Sequence, residues 1–173
     1  MEEVVLVDHL DNEIGVEEKL RAHENGSLHR AFSVFIFNSQ GDMLIQQRAA
    51  GKYHSANLWS NACCSHPRPN ENINDAAHRR LKEELGMEAE LNWLMSFQYK
   101  IDFENGLIEH ELDHVFVGIS DDKAIINPDE VSAIKYISTE SLLKDLEESP
   151  QNYTFWFKEL IKDVLDKSKD RTV

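Results

Sequence analysis

Two adjacent cysteines, Cys63 and Cys64, stand just ahead of His66-Pro67, and the chain then enters a segment carrying Arg79, Arg80, Glu83 and Glu84. A thiol can carry a proton or act as a nucleophile, and an imidazole can carry a proton or hold a metal. Carboxylates and guanidinium groups on the following segment could reach back toward both. Further along, Glu109, Glu111 and Asp113 alternate with His110, Leu112 and His114. On a strand the three acids share one face, so Glu109 and Glu111 would lie about 6.5–7 Å apart. Two carboxylates that close repel unless a cation lies between them or water reaches them. Taken alone, the pattern describes an exposed acidic sheet face better than a metal site. His23, His29 and His66, taken singly, describe surface histidines or histidines satisfied by hydrogen bonds.

These groups need elements to position them. Ile73, Ala77, Leu81 and Leu85 recur every four residues and Gly86 follows, which predicts a helix over 73–85 with a glycine C-cap. Asp75 with Arg79, Arg79 with Glu83, and Arg80 with Glu84 are spaced as i,i+4 ion pairs, and their plainest reading is a solvated face. Residues 31–37 form a near-continuous apolar run, expected to be a buried strand, and 43–47 its hairpin partner across turn residues 38–42. Residues 93–103 and 109–119 predict a second hairpin around Asn105-Gly106, a type I′ signal. A strand at 4–7, a polar loop with a short turn over 8–24, and a loop over 48–60 are expected upstream. Downstream come a strand at 134–137, a helix from Ser138 to about 147 and a last helix over 154–165. This order predicts a mixed α/β fold, a mixed sheet between helices, as one domain over 1–173.

Hydrophobic residues make up 41% and charged residues 29%, ordinary globular values, with a net charge of −14. That charge argues against a nucleic-acid or anionic-membrane partner, and an anionic substrate would need a local cluster of cations. Adjacent cysteines cannot build a disulfide framework, and the acidic N-terminus does not resemble a signal peptide. A cytoplasmic protein is expected, with monomer and homodimer both open.

The stretch 61–86 resembles the Nudix box, with Glu71, Arg79, Leu81, Glu83, Glu84 and Gly86 in register. Ser65 departs from the box's first glycine, and Arg80 replaces the first glutamate of its R-E-U-x-E-E core, where U is aliphatic. That glutamate helps load magnesium in the hydrolases, so the substitution argues against diphosphate hydrolysis. The upstream run from Trp59 to Pro67 is similar to the signature of type I isopentenyl-diphosphate isomerases, a branch with this modified box.

The resemblance implies a Nudix fold and interconversion of isopentenyl and dimethylallyl diphosphates. It implies a His3Glu2 metal site at His23, His29, His66, Glu109 and Glu111, the first of these on an N-terminal extension of about 1–28. Manganese or zinc suits such ligands. It further implies Mg2+ shared between Glu84 and the substrate diphosphate, and diphosphate anchoring by Lys19, Arg48, Lys52 and Arg80. Cys64 and Glu111 become the proton carriers, with Tyr99 assisting Glu111. Trp156 would lie over the developing cation, where cation–π attraction contributes about 2 kcal/mol or more when desolvated. Cys63 is then a small buried hydrophobe, Trp59 a second wall candidate, and His110 and His114 point away. The alternative is a hydrolase of nucleoside or prenyl diphosphates.

Overall fold

The structure, a computed structural model, describes residues 1–169. Strands β1 (Glu3–Val7) and β2 (Glu13–Glu18) lead into helix α1 (Lys19–Asn25), then β3 (His29–Phe37) and β4 (Met43–Arg48). Short strands β5 (Trp59–Ser60) and β6 (Cys63–Ser65) precede α2 (Ile73–Leu85). The long hairpin β7 (Leu91–Asp102) and β8 (Ile108–Ile119) is followed by β9 (Val131–Ile137), α3 (Thr139–Glu148) and α4 (Phe155–Lys169).

The nine strands of the described residues belong to one sheet, centred on β3. It runs parallel to β8, with His29 opposite Glu111 and Phe37 opposite Ile119. An apolar run without alternation suits a strand covered on both faces. Phe32, Val34 and Ile36 pack with Ala76, Ala77, Leu81 and Leu85 of α2. Phe35 packs on the other face with Phe157, Leu160 and Ile161 of α4. The mixed sheet between helices is therefore as expected. Among the described residues, no helix is long and apolar enough to cross a membrane.

The β3–β4 hairpin is brief. Only Ile36–Leu44 and Phe37–Met43 pair before β4 parts from β3 and runs along β9. The segment 59–65 enters the gap, β5 pairing with β4 and β6 with β3. Asn61, fully buried between the two, donates its amide to the carbonyls of Val34 (3.0 Å) and Cys63 (2.9 Å).

Several local expectations are corrected. Residues 8–24 hold β2 and α1 rather than a loop with a turn. Neither shows an apolar pattern: Ile14 and Val16 of β2 are exposed, and α1 buries only Ala22 and His23. Backbone pairing with β1 holds β2, and caps hold α1. The Glu18 carboxylate accepts from the amides of Leu20 and Arg21, and Gly26 (φ 69°) ends the helix. The 61–65 loop contains β6, and β9 begins at Val131 because its ladder with β4 extends to Arg48.

The second hairpin does not close through a type I′ turn, because only Gly106 of the Asn105-Gly106 pair has positive φ (83°). Gly106 N–H donates to the Phe103 carbonyl at 3.1 Å, and the Asn105 amide is drawn to the Tyr53 carbonyl at 2.8 Å. In α2, Arg79 turns to Glu71 (2.7 Å) and Glu83 (3.3 Å) instead of Asp75.

Candidate active site

Alternation along β6 sends the two cysteines to opposite faces. Cys63 is fully buried in the α2 cluster. Cys64 faces a cleft, its Sγ 3.1 Å from Asn61 Oδ1, to which it donates, and 3.6 Å from Ser33 Oγ. The Trp156 indole N–H donates to the same sulfur at 3.1 Å. Burial, reinforced by the nearby Asp113 carboxyl, pushes the Cys64 thiol up to about 12, so it is protonated at neutral pH.

Opposite Cys64 stands the acidic end of β8. Glu109 and Glu111 are both buried, contrary to the exposed face that the strand pattern alone suggested. The Tyr99 hydroxyl lies 2.7 Å from Glu109 Oε1 and 2.8 Å from Glu111 Oε2. A phenol has one proton to give, so contact with both carboxyls requires one of them to be protonated. Burial and the charge of Glu111 push Glu109 well above the carboxylate range. Burial would raise Glu111 too, but hydrogen bonds from His29 and His66 hold it well below. Glu111 is the ionised member. Burial and the two glutamates raise Tyr99 well above its usual range.

Ligand atoms of His23, His29, His66 and Glu111 all lie within 4.8 Å of one another. Glu109 stands outside this set, its Oε2 3.4 Å from His54 Nε2. His23 Nδ1 donates to the Lys19 carbonyl (2.7 Å) and His29 Nδ1 to the Ser27 carbonyl (2.9 Å). His23 is thereby left an Nε2 lone pair for a cation, and His29 is turned so that its Nε2 meets Glu111. His23 Nε2 is buried without a hydrogen-bond partner, while His29 Nε2 and His66 Nε2 crowd Glu111 Oε1 at 3.3 and 2.8 Å. An orphaned imidazole nitrogen beside two others and a carboxylate can hold a divalent cation. His110 and His114 lie on the other face, bonded to the Gly26 carbonyl and to Asp11.

Burial lowers His23, and lowers His66 to about 4 against the opposing bond to Glu111. A histidine depressed in the folded state takes up protons first in the unfolded chain, so its contribution is present above pH 6.5 and lost as pH falls toward 4. For His66 alone this amounts to roughly 3 kcal/mol once both states are protonated. Metal-free protein should therefore show a melting temperature that falls steeply between pH 6.5 and 4, measured by calorimetry.

The cations line the same cleft as Cys64, Tyr99, Glu109, Glu111 and Trp156: Lys19 from α1, Arg48 from the end of β4, Lys52 from the following loop and Arg80 from α2. Lys19 pairs with Glu2 at 3.2 Å and Lys52 with Glu130. Arg48 lies over the Trp156 ring, 5.2 Å from its centroid. Arg80 bonds Glu83 (2.7 Å) and Glu84 (2.9 Å). Glu84 is buried behind Arg80 rather than on a solvated face, its other oxygen accepting from Gln46 at 3.2 Å. It does not line the cleft. Trp59 does not line it either; that ring packs against the α4 core with Lys135 above it at 4.5 Å.

Sequence reasoning missed four residues here. Ser33 donates to Asp113 Oδ2 at 2.6 Å beneath Cys64. Tyr53 and His54 line the cleft from the loop after Lys52, and Gln46 braces Glu84. A hydroxyl amid an apolar strand was the available signal for Ser33; the others carry none without the fold.

The family model described as NUDIX domain matches residues 27–157, which sets the class. Solved structures agree on the fold. One from Deinococcus radiodurans superposes with a TM-score of 0.78 at 23% identity, covering 94% of this chain and 98% of that one. A MutT protein from Methanosarcina mazei gives 0.66 at 15% identity, covering 84% and 96%. Relatives in sequence are more specific. The chain is 51% identical over 172 residues to isopentenyl-diphosphate Delta-isomerase 1 of Aromatoleum aromaticum, covering 99% of this chain and 97% of the relative. It is 52% identical over 155 residues to the isopentenyl-diphosphate Delta-isomerase of Pectobacterium atrosepticum, covering 90% and 87%. The chain belongs to the isopentenyl-diphosphate Delta-isomerase family of the NUDIX superfamily.

Proposed function

We propose that this protein interconverts isopentenyl and dimethylallyl diphosphates, with Cys64 and Glu111 as the proton carriers. One observation carries the reading: the thiol and the carboxylate open onto a single cleft that also gathers four cations and an indole. In the forward direction a proton adds to the terminal alkene carbon, leaving positive charge at the branched carbon. Loss of a proton from the neighbouring methylene then forms the new double bond. An unactivated alkene is a weak base, so the step needs a positioned acid, a base and exclusion of water. At neutral pH Cys64 is the protonated partner and Glu111 the ionised one. Tyr99, bonded to both glutamates, extends Glu111 toward the substrate and relays its proton. The Trp156 ring offers its π face to the developing charge without a nucleophilic atom that would trap it.

His23, His29, His66 and Glu111, with Glu109 alongside, would hold a divalent cation whose positive charge would favour the ionised form of Glu111, and Mn2+ or Zn2+ would suit these donors. Glu84, paired with Arg80 at 2.9 Å, would give a carboxylate oxygen to a Mg2+ ion shared with the diphosphate. Lys19, Arg48, Lys52 and Arg80 bind the diphosphate; Lys19 and Lys52 exchange Glu2 and Glu130 for it. A cytoplasmic location is part of the proposal, since the thiol must stay reduced.

Incubating the protein with isopentenyl diphosphate and Mg2+ in deuterated water tests the reading. Deuterium should enter both diphosphates with no free phosphate; phosphate release would point to hydrolysis, which Arg80 in the box disfavours. Arg80→Gln should raise KM roughly 10- to 100-fold through loss of a charge-assisted contact, with a smaller change in kcat. Steady-state kinetics beside a melting curve checks this, and an unchanged KM removes Arg80 from the anchor.

A further inference from the structure

We infer that His54 is the wall that limits the substrate to five carbons, an inference that rests on the isomerase reading. Behind the cleft lies a second, open groove of about 490 Å³, lined by Leu58, Ile101, Phe103 and Phe155 among others. Among the described residues His54 alone lines both spaces. Its ring is stacked on Phe103 (centroids 4.6 Å, interplanar 12°) and meets the Trp156 ring edge-on at 6.0 Å. Only 8% of the side chain is exposed.

The partition is a side chain rather than backbone, which makes it removable. Trp156, proposed above to face the developing cation, is the ring that His54 meets edge-on in the same cleft, so the branched end of a five-carbon chain held between Cys64 and Glu111 would face His54. Carbons added at its branched end would run into the imidazole. Without that ring they would pass over Phe103 into a groove whose lining is apolar enough to receive them. His54 also touches Glu109, so the steric role must be separated from any effect on the acidic cluster.

The experiment compares wild type, His54→Ala and His54→Phe on two diphosphates. One is isopentenyl diphosphate. The other is a ten-carbon homologue in which a six-carbon alkenyl chain replaces the methyl on the branched carbon. His54→Ala should raise the ratio of kcat/KM for the longer over the shorter substrate at least tenfold. His54→Phe, which keeps a flat ring but cannot bond Glu109, should leave that ratio at or below the wild-type value. An unchanged ratio in His54→Ala overturns the inference, as does an equal rise in His54→Phe, which would mean that the effect runs through Glu109. If His54→Ala does not fold, His54→Thr is read in the same way. If wild type isomerises neither diphosphate, the isomerase reading falls. Calorimetric titration with the same two ligands then still reads the wall as a ratio of Kd values.

Discussion

Cys64→Ala should lower isomerisation at least about a thousandfold while Cys63→Ala leaves most of it, the first figure being what removal of a positioned proton carrier takes from a rate. The contrast follows from alternation along a three-residue strand. Cys64 Sγ faces the cleft within 3.1 Å of both Asn61 Oδ1 and Trp156 Nε1. Cys63 is enclosed by α2 and has no exposed surface. Its replacement removes one buried atom and should cost about 1 kcal/mol of stability through a small void. Cys64→Ser separates acidity from shape. The hydroxyl can keep both hydrogen bonds but is a far weaker acid than the thiol, so it should fold normally and stay nearly as slow as alanine. Deuterium incorporation and melting curves, measured on all three variants, read both quantities. A fast Cys64→Ala enzyme, or a dead but folded Cys63→Ala enzyme, would reverse the assignment of the two sulfurs.

What could be read in the sequence depended on whether a signal was periodic. The apolar stripe of α2 repeats at the helical period, the near-continuous apolar run of β3 marks a strand covered on both faces, and the structure sets the two against each other. β2 and α1 lack that repetition, because a backbone ladder and two caps hold them rather than a buried face. The chemistry divided similarly. Glu109 and Glu111 were visible as same-face acids, but the pattern could not say that the face was buried under Tyr99 and the histidines. His54 sits in an irregular loop whose backbone includes positive φ at Ser55 and Asn57. No local rule gives the direction of such a side chain, so the partition it forms appears only with the fold. The i,i+4 spacing of Arg80 and Glu84 was legible, whereas their burial depends on β4 bringing Gln46 beneath them.

Glu111→Gln should remove both turnover and metal, and that pairing distinguishes a double role from a single one. The ionised carboxylate accepts from His66 at 2.8 Å, lies 3.3 Å from His29 and receives the Tyr99 proton at 2.8 Å. An amide of the same shape has no charge to offset a divalent cation and cannot take up a proton near neutral pH. Activity should fall by about three orders of magnitude, and retention of the second metal after dialysis should weaken roughly 10- to 100-fold or more. Glu109→Gln is the control. Burial and the neighbouring charge already hold Glu109 protonated, so glutamine there replaces a neutral group with a neutral group. Its effect on both readouts should be smaller, about tenfold or less. Metal content by elemental analysis and isomerisation by isotope exchange measure the two roles independently. A Glu111→Gln protein that loses metal yet turns over normally would strip the carboxylate of its proton-carrying role and leave it a ligand only. One that keeps its metal and loses turnover would instead assign the cation to the three histidines and reserve Glu111 for the proton.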